Sequence, residues 1–264
     1  MHCRRQFEGA IKLALLIPDR IFSANGLRVK EYLLTNHNPN QISLPGKRAL
    51  PLIGITVHNT NDINEARQTT DPEQYVRATI NDNMGTVRVH YYVDDDEAWH
   101  MLPDDWQSWH AGQSGKADRN GSAAGNAQTI SIECIMDGSG SDKDRRAEDN
   151  CAKLIAYLME KYGMNTADNL FTHNYWCNVR NGRNGTIDAL NKLNDGYKNC
   201  PVYIRPHWDS FVDKINSYMR KEEKPVAKSK YYVQVGAFSS KENAEKYLAD
   251  VKKDYPNAFI KVIE

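Results

Sequence analysis

The chain has 264 residues, with 34 Lys+Arg against 34 Asp+Glu, 40% apolar and 26% charged residues. Zero net charge supplies no electrostatic footprint for nucleic acid or an anionic membrane surface. The composition is that of a soluble globular chain rather than a disordered one, and the length suits one ordinary domain plus a small one.

Residues 1–18 combine a basic start with an apolar run, the outline of a signal peptide. Lys12 interrupts the run, no small-x-small cleavage pattern follows, and the run is too short to cross a bilayer. We therefore read residues 1–30 as an N-terminal extension containing a short amphipathic helix. "PLIGITVHNT" (51–60) is apolar and β-branched, a buried strand. "DPEQYVRATINDN" (71–83) has helical spacing, with Asp71 as N-cap and Pro72 at the first helical position. "VRVHYYVDDDEAWHML" (87–102) predicts a hairpin turning at Asp94–Asp96. "AQTISIECIM" (127–136) is another buried strand. Residues 142–163 form a long amphipathic helix closed by Gly163, "LFTHNYW" (170–176) reads as a short strand, and 208–221 as a closing helix.

Strands alternating with helices predict an α/β body with a mixed central sheet flanked by helices, spanning 31–218. "MRKEEKPVAKSK" (219–230) is a solvated linker. The tail, 231–264, reads as a small βαβ unit: strand "YYVQVGAF", a helix capped by Ser239 or Ser240 with Glu242 in a capping box, and strand "AFIKVIE".

The five cysteines are Cys3, Cys134, Cys151, Cys177 and Cys200. An odd number without a CxxC pair does not form a secreted disulfide framework, and points to synthesis in a reducing compartment. His58 and His173 each end an apolar run, where chemistry-bearing groups collect in α/β sheets. With Cys200 they make two imidazoles and a thiolate from three segments. That set suits Zn²⁺ and leaves a fourth position open. The trio competes with other selections among eight histidines, and Cys200 stays open as a ligand, a nucleophile served by His173, or a core residue.

Glu133 lies in "TISIECI". Period two puts Ile130, Ile132 and Cys134 on one face and Thr129, Ser131, Glu133 and Ile135 on the other. A carboxylate among apolar neighbours has a raised pKa, which suits a general base; a structural carboxylate is the competing reading. Lys198, two residues before Cys200, would stand near a metal's open side and stabilise an oxyanion, or simply be an exposed lysine. "WQSWHAG" (106–112) brings Trp109 and His110 to a small-residue turn, where a ring could stack on sugar or peptide; Trp106 reads as core.

These segments resemble the zinc-dependent N-acetylmuramoyl-L-alanine amidases of the type-2 family, which includes endolysins and peptidoglycan recognition proteins. The resemblance runs from about residue 50 to about 215 and rests on four motifs in order: "ITVHNT", "VHYYVDDD" with "SWHAG", "SIECI", and "FTH…KNCP". It implies a zinc-containing groove with His58, His173 and Cys200 as ligands, Glu133 as general base and acid, and Lys198 as the oxyanion group. His110, Trp109 and Asn59 become substrate-contacting candidates. Two departures stand out. Val89 occupies the position before His90 where some members carry a catalytic tyrosine. The segment "CNVRNGRNGTIDALNKLN" (177–194) reads as an inserted loop on the rim of the groove.

The tail is similar to the opening half of a SPOR domain, which binds glycan strands. Self-association through this segment, or docking on the body, would complete the half-domain. The resemblance implies Zn²⁺ as cofactor and peptidoglycan as partner, without nucleic acid or stable membrane insertion. It also implies synthesis in the bacterial cytoplasm and action at the cell wall after secretion or holin release. A bacterial autolysin of the same chemistry and a non-catalytic peptidoglycan-binding protein are the alternatives.

Overall fold

The computed structural model describes residues 16–60, 71–112, 124–194, 198–219, 236–254, 258 and 260. The chain divides into two compact units, Met1–Glu222 and Glu223–Glu264.

The first unit is built on a seven-stranded mixed sheet. Its strands are β1 (Arg20–Ala24), β2 (Leu27–Glu31), β3 (Gly54–Asn59), β4 (Tyr91–Val93), β5 (Glu97–His100), β6 (Thr129–Cys134) and β7 (Leu170–Thr172), in the spatial order β1-β2-β5-β4-β6-β3-β7. The half from β4 to β7 is parallel. The other half carries antiparallel β1–β2 and β4–β5 hairpins joined by a parallel β2–β5 pair.

The sheet thus includes β1 and β2, which fall almost wholly within the expected N-terminal extension 1–30. The signal was short: Asn25-Gly26, with φ of 51° and 87°, supplies the two left-handed residues of a tight primed hairpin turn. The β4–β5 hairpin turns as expected at Asp94, whose carboxylate accepts from Asp96 N–H and Glu97 N–H at 2.8 and 2.9 Å.

Each face of the sheet has its own cover. On one face Ile55, Val57, Ile130, Ile132 and Cys134 pack against α3 (Asp142–Tyr162) and α7 (Trp208–Met219). Helix α3 starts on Ser141, whose hydroxyl accepts from Asp144 N–H, and stops at Gly163 with φ 64°, a left-handed position where a side chain would be strained. On the other face α1 (Pro72–Ile80) lays Tyr75, Val76 and Ile80 against Tyr92 and Trp99. Its N-cap is Asp71, accepting from Glu73 N–H at 2.8 Å, and it ends at Ile80 rather than continuing to 83. A smaller cluster, Ala111, Phe171 and Trp176, packs nearby.

Two segments depart from expectation. The one-turn helices α2 (Gly125–Gln128) and α4 (Thr166–Asn169) precede β6 and β7. "LFTHNYW" is a strand only to Thr172; its hydroxyl accepts from Tyr175 N–H at 2.9 Å and caps α5 (His173–Arg180). Residues 177–194 are not a simple loop. They finish α5 and form α6 (Ile187–Lys192), which packs on α5 and β7. Asn191 of α6 accepts from Thr172 N–H at 2.8 Å and donates to Leu170 C=O at 2.9 Å. One side chain therefore satisfies the open edge of β7, the work an eighth strand would otherwise do.

In the second unit the described element is α8 (Lys241–Asp254). Ser240 caps it through Asn243 N–H at 3.4 Å. The third helical position, where a capping box would place its acid, is therefore Asn243. Glu242 instead pairs with Lys246 one turn on, at 3.3 Å. Phe238 and Tyr247 bring their rings to 5.2 Å. The two strands expected at 231–238 and 258–264 fall mostly outside the described residues, as does most of the linker 219–230.

Candidate metal centre

The centre lies at the C-terminal ends of the parallel strands. β3 is buried along its whole length between β6 and β7, the pattern of a strand covered on both faces. Its alternation sends Val57 toward α3 and α7 and His58 to the opposite face. β6 places Glu133 in register with His58, on that same face. β7 runs parallel to β3 and hands the chain to α5, so His173 becomes the first helical residue beside the end of β3.

Cys200 arrives from the other direction. Its carbonyl accepts from Asn174 N–H at 3.0 Å. The turn that follows is pinned by Asn59, whose Oδ1 accepts from Tyr203 N–H and Ile204 N–H at 3.0 and 3.4 Å. The Asn59 amide nitrogen donates to Cys134 C=O and lies on Met136 Sδ, both at 3.2 Å. Asn59 lines the cleft, but its amide is committed on both sides. It braces the Cys200 turn from the wall of the cleft.

His58, His173 and Cys200 are all buried and present donor atoms that lie within 4.8 Å of one another. His58 Nδ1 is 3.2 Å from His173 Nδ1 and 3.6 Å from Cys200 Sγ. The far nitrogen of each ring is engaged: His173 Nε2 with Gly112 C=O at 2.8 Å and His58 Nε2 with His110 Nδ1 at 2.7 Å. Engaged outer nitrogens are characteristic of metal-binding imidazoles. Burial, with the charge of Lys198 adding to it, lowers the His173 pKa to about 3. Burial, and then His110, His173 and Lys198, holds His58 well below the usual histidine value. Two neutral imidazoles and a thiol aimed at one point make a donor set suited to a soft or borderline divalent cation.

Glu133 Oε1 lies 3.9 Å from His58 Nδ1, and Glu133 Oε2 is buried with no hydrogen-bond partner. Burial pushes this carboxyl up to about 7, against a smaller opposing pull from Lys198. An orphaned buried oxygen beside the ligand atoms is what a bound cation with its water would satisfy, so the residues fit a metal. Burial raises the Cys200 thiol to about 12 and lowers His173, which works against a thiolate–imidazolium pair between them.

These groups open on a cleft of about 410 Å³. His58, Glu133, His173, Cys200, Lys198 and His110 line its polar side, with Lys198 exposed. Tyr75, Met84, Val87, Tyr92 and Val202 form an apolar side that sequence reading did not single out. The amphipathic face of α1 carried the signal for Tyr75. Trp109, expected to contact substrate, is not among the lining residues; its backbone pairs with Arg88 in an antiparallel bridge. The insertion 177–194 supplies no lining residue either, so the expected rim is instead the brace on β7.

Comparison with known proteins follows the same stretch of chain. Residues 48–201 match the N-acetylmuramoyl-L-alanine amidase family model, and residues 227–264 match the SPOR domain model. N-acetylmuramoyl-L-alanine amidase XlyA of Bacillus subtilis (strain 168) is 31% identical over 167 residues, 63% of this chain and 45% of that protein. N-acetylmuramoyl-L-alanine amidase CwlH of the same strain is 28% identical over 189 residues, 72% of this chain and 61% of that protein. The chain thus spans about half the length of these curated relatives. Among solved structures, a mutant endolysin from Bacillus subtilis superposes with a TM-score of 0.52 at 25% identity, covering 72% of this chain and 99% of the other. The family match begins just before β3 and ends at the Cys200 turn, enclosing the whole cluster: the chain belongs to the N-acetylmuramoyl-L-alanine amidase family.

Proposed function

We propose that this chain is a zinc-dependent N-acetylmuramoyl-L-alanine amidase, acting on peptidoglycan as an endolysin, with His58, His173 and Cys200 as zinc ligands. The observation that carries the reading is the orphaned carboxylate of Glu133 beside three convergent ligand atoms. The amidase names of XlyA and CwlH support the substrate assignment.

Zn²⁺ in this site would polarise the scissile carbonyl and acidify a water molecule. Glu133 takes the proton of the attacking water and returns it to the amine that leaves. A carboxyl held near neutrality by burial can do both. Lys198 places an ammonium at the exposed edge of the cleft, where it stabilises negative charge developing on the carbonyl oxygen. The bond cut is the amide between the lactyl group of N-acetylmuramic acid and L-alanine. The tail, matched by the SPOR model, would hold the enzyme on glycan strands. Synthesis in the cytoplasm followed by secretion or holin release would bring it to the wall.

Mass spectrometry of wall digested by the full chain tests the reading. Glycan with free lactyl groups and peptide with a new L-alanine N-terminus is the expected result. Cleaved glycan bonds, cleaved peptide bonds, or binding without cleavage would overturn it.

A further inference from the structure

His110 lines the cleft, yet both of its ring nitrogens are already used inside the protein. Nδ1 lies 2.7 Å from His58 Nε2, and Nε2 lies 3.1 Å from Gly125 C=O. The loop that carries it is fixed as well: Asn126 Oδ1 accepts from His110 N–H at 2.8 Å and Ala111 N–H at 2.7 Å. A residue bound this way has no ring nitrogen left for substrate.

The direction of these hydrogen bonds follows from the carbonyl. Thr129 Oγ1 lies 3.4 Å from His110 Nε2 but gives its one proton to Gly125 C=O at 2.7 Å, and that carbonyl has no proton to offer, so His110 Nε2 carries one and donates it. One proton fits the 2.7 Å contact between His110 Nδ1 and His58 Nε2; placing it on Nδ1 as well as Nε2 would make His110 a buried cation with no carboxylate among its hydrogen-bond partners, so Nδ1 is the bare acceptor. His58 Nε2 must therefore carry a proton to donate to it, and His58 Nδ1 is left bare. That bare nitrogen is the one facing His173 and Cys200. Gly112 C=O imposes the same tautomer on His173.

The anchor is itself held in place. Trp176 Nε1, which can only donate, donates to Thr56 Oγ1 at 2.9 Å. The Thr56 hydroxyl then donates to Thr129 Oγ1 at 2.7 Å, and Thr129 donates to Gly125 C=O at 2.7 Å. The carbonyl end sets the sense of the chain: the one proton of Thr129 goes to Gly125 C=O, so Thr129 accepts from Thr56, and Thr56 accepts from the indole. The line stops at a carbonyl, so it cannot pass a proton onward.

We propose that His110 is a positioning residue that locks His58 as the Nε2–H tautomer, presenting Nδ1 to a metal. This rests on the reading of His58, His173 and Cys200 as the metal site. It assigns His110 a role distinct from that of a substrate contact.

The test uses the full chain and two readouts. Zinc affinity is measured by competition with a chromogenic chelator for the unsubstituted protein, His110→Leu and His110→Asn. His110→Leu should bind zinc about 10- to 100-fold more weakly. His110→Asn should recover most of that loss, because its side-chain oxygen can accept near the position of Nδ1. In the metal-free unsubstituted chain, ¹⁵N spectra of the imidazoles should show His58 and His110 protonated at Nε2. A folded His110→Leu protein with unchanged zinc affinity, or His58 protonated at Nδ1, overturns the proposal. If His110→Leu does not fold, the tautomer spectrum decides alone. An unsubstituted chain that takes up no zinc overturns the metal reading instead, and the tautomer spectrum still decides the role of His110.

Discussion

His58 and Glu133 stand opposite each other in register on the adjacent parallel strands β3 and β6, with His58 Nδ1 3.9 Å from Glu133 Oε1. The pair is not an ion pair in the ordinary sense, since burial keeps the imidazole neutral and the carboxyl pKa raised. Its meaning is positional. Two strands with period-two alternation deliver an imidazole nitrogen and a carboxylate to the same face without any loop between them, and groups held on strands are placed more rigidly than groups on loops.

Glu133→Gln should therefore separate chemistry from metal binding. The amide keeps the shape but cannot accept and return a proton. Turnover of peptidoglycan should fall by about 10²- to 10⁴-fold, while zinc per chain, measured by elemental analysis, stays at the unsubstituted level. Undiminished turnover would remove Glu133 from the proton-transfer role.

Cys200→Ser should have the opposite profile. A serine hydroxyl is a poor substitute for thiolate at a site with two imidazoles. Zinc per chain should drop together with activity, and activity should return only partly with excess zinc. Because Asn59 and Asn174 hold the backbone around Cys200 independently of its side chain, circular dichroism should remain unchanged.

Stability should depend on pH through a second buried cluster, remote in sequence from the ligands. His100 Nδ1 lies 2.9 Å from Glu31 Oε2, and its Nε2 lies 3.3 Å from Asp104 Oδ1, an ion-pair distance without hydrogen-bond alignment. Arg20 also reaches Glu31, Lys161 and Tyr162 reach Asp104, and Tyr91 both bonds Asp104 and stacks on His100. Burial opposes the charge on His100, but the two carboxylates outweigh it and raise its pKa. His100, with Arg20, lowers Glu31 to about 2 against its burial, and Asp104 is lowered likewise by His100 and Lys161. A raised histidine contributes stability that is complete below about pH 6.5 and lost as pH rises through the folded value. Lowered carboxylates contribute above about pH 4.5 and lose it as pH falls through their folded values. The stabilisation from this cluster should thus be largest between about pH 4.5 and 6.5, and His100→Gln should flatten the alkaline decline of the urea midpoint. An alkaline limb identical in the variant would show that the decline comes from other groups.

Much of this was legible in the sequence, and the gaps have specific physical causes. β3, β6 and α3 announced themselves because apolar periodicity and caps coincide in them. The convergence of His58, His173 and Cys200 was suggested by strand ends, but distance is not written in a single chain. β1 and β2 are short and half exposed, so only Asn25-Gly26 marked them. The hydrogen bonds of Asn59, Asn191 and His110 are not legible in the sequence for a common reason. Each acts by hydrogen bonding to backbone or to another side chain far away in sequence, and no local pattern encodes such a partner. Trp109 looked like a stacking residue because of its neighbours, whereas its place is decided by the bridge to Arg88.

Gly54 opens β3 where β7 approaches. A Cβ built there would lie 2.2 Å from the Asn169 carbonyl oxygen and 2.6 Å from the Phe171 ring. The oxygen belongs to backbone held by α4 and β7, so it cannot swing away as a flexible side chain would. Gly54→Ala should destabilise the domain by about 1–3 kcal/mol, read from urea unfolding. Unchanged stability would mean that the start of β3 can shift without cost.

The last prediction concerns the insertion. Asn191 donates to Leu170 C=O and accepts from Thr172 N–H, two buried backbone groups on the open edge of β7. Removing the amide leaves both unpaired, at about 1–3 kcal/mol each. Asn191→Ala should therefore lower stability by roughly that sum. It should also weaken zinc binding, because Thr172 caps α5 and is followed directly by His173. Asn191→Asp separates the two contacts. It keeps an acceptor for Thr172 N–H but sets a carboxylate oxygen against Leu170 C=O, so it should be no more stable than the alanine variant at neutral pH. Urea unfolding and chelator competition on both variants check this. A fully stable Asn191→Ala chain would show that 177–194 is dispensable to the edge it covers, and an Asn191→Asp chain as stable as the parent would show that the Leu170 contact contributes nothing.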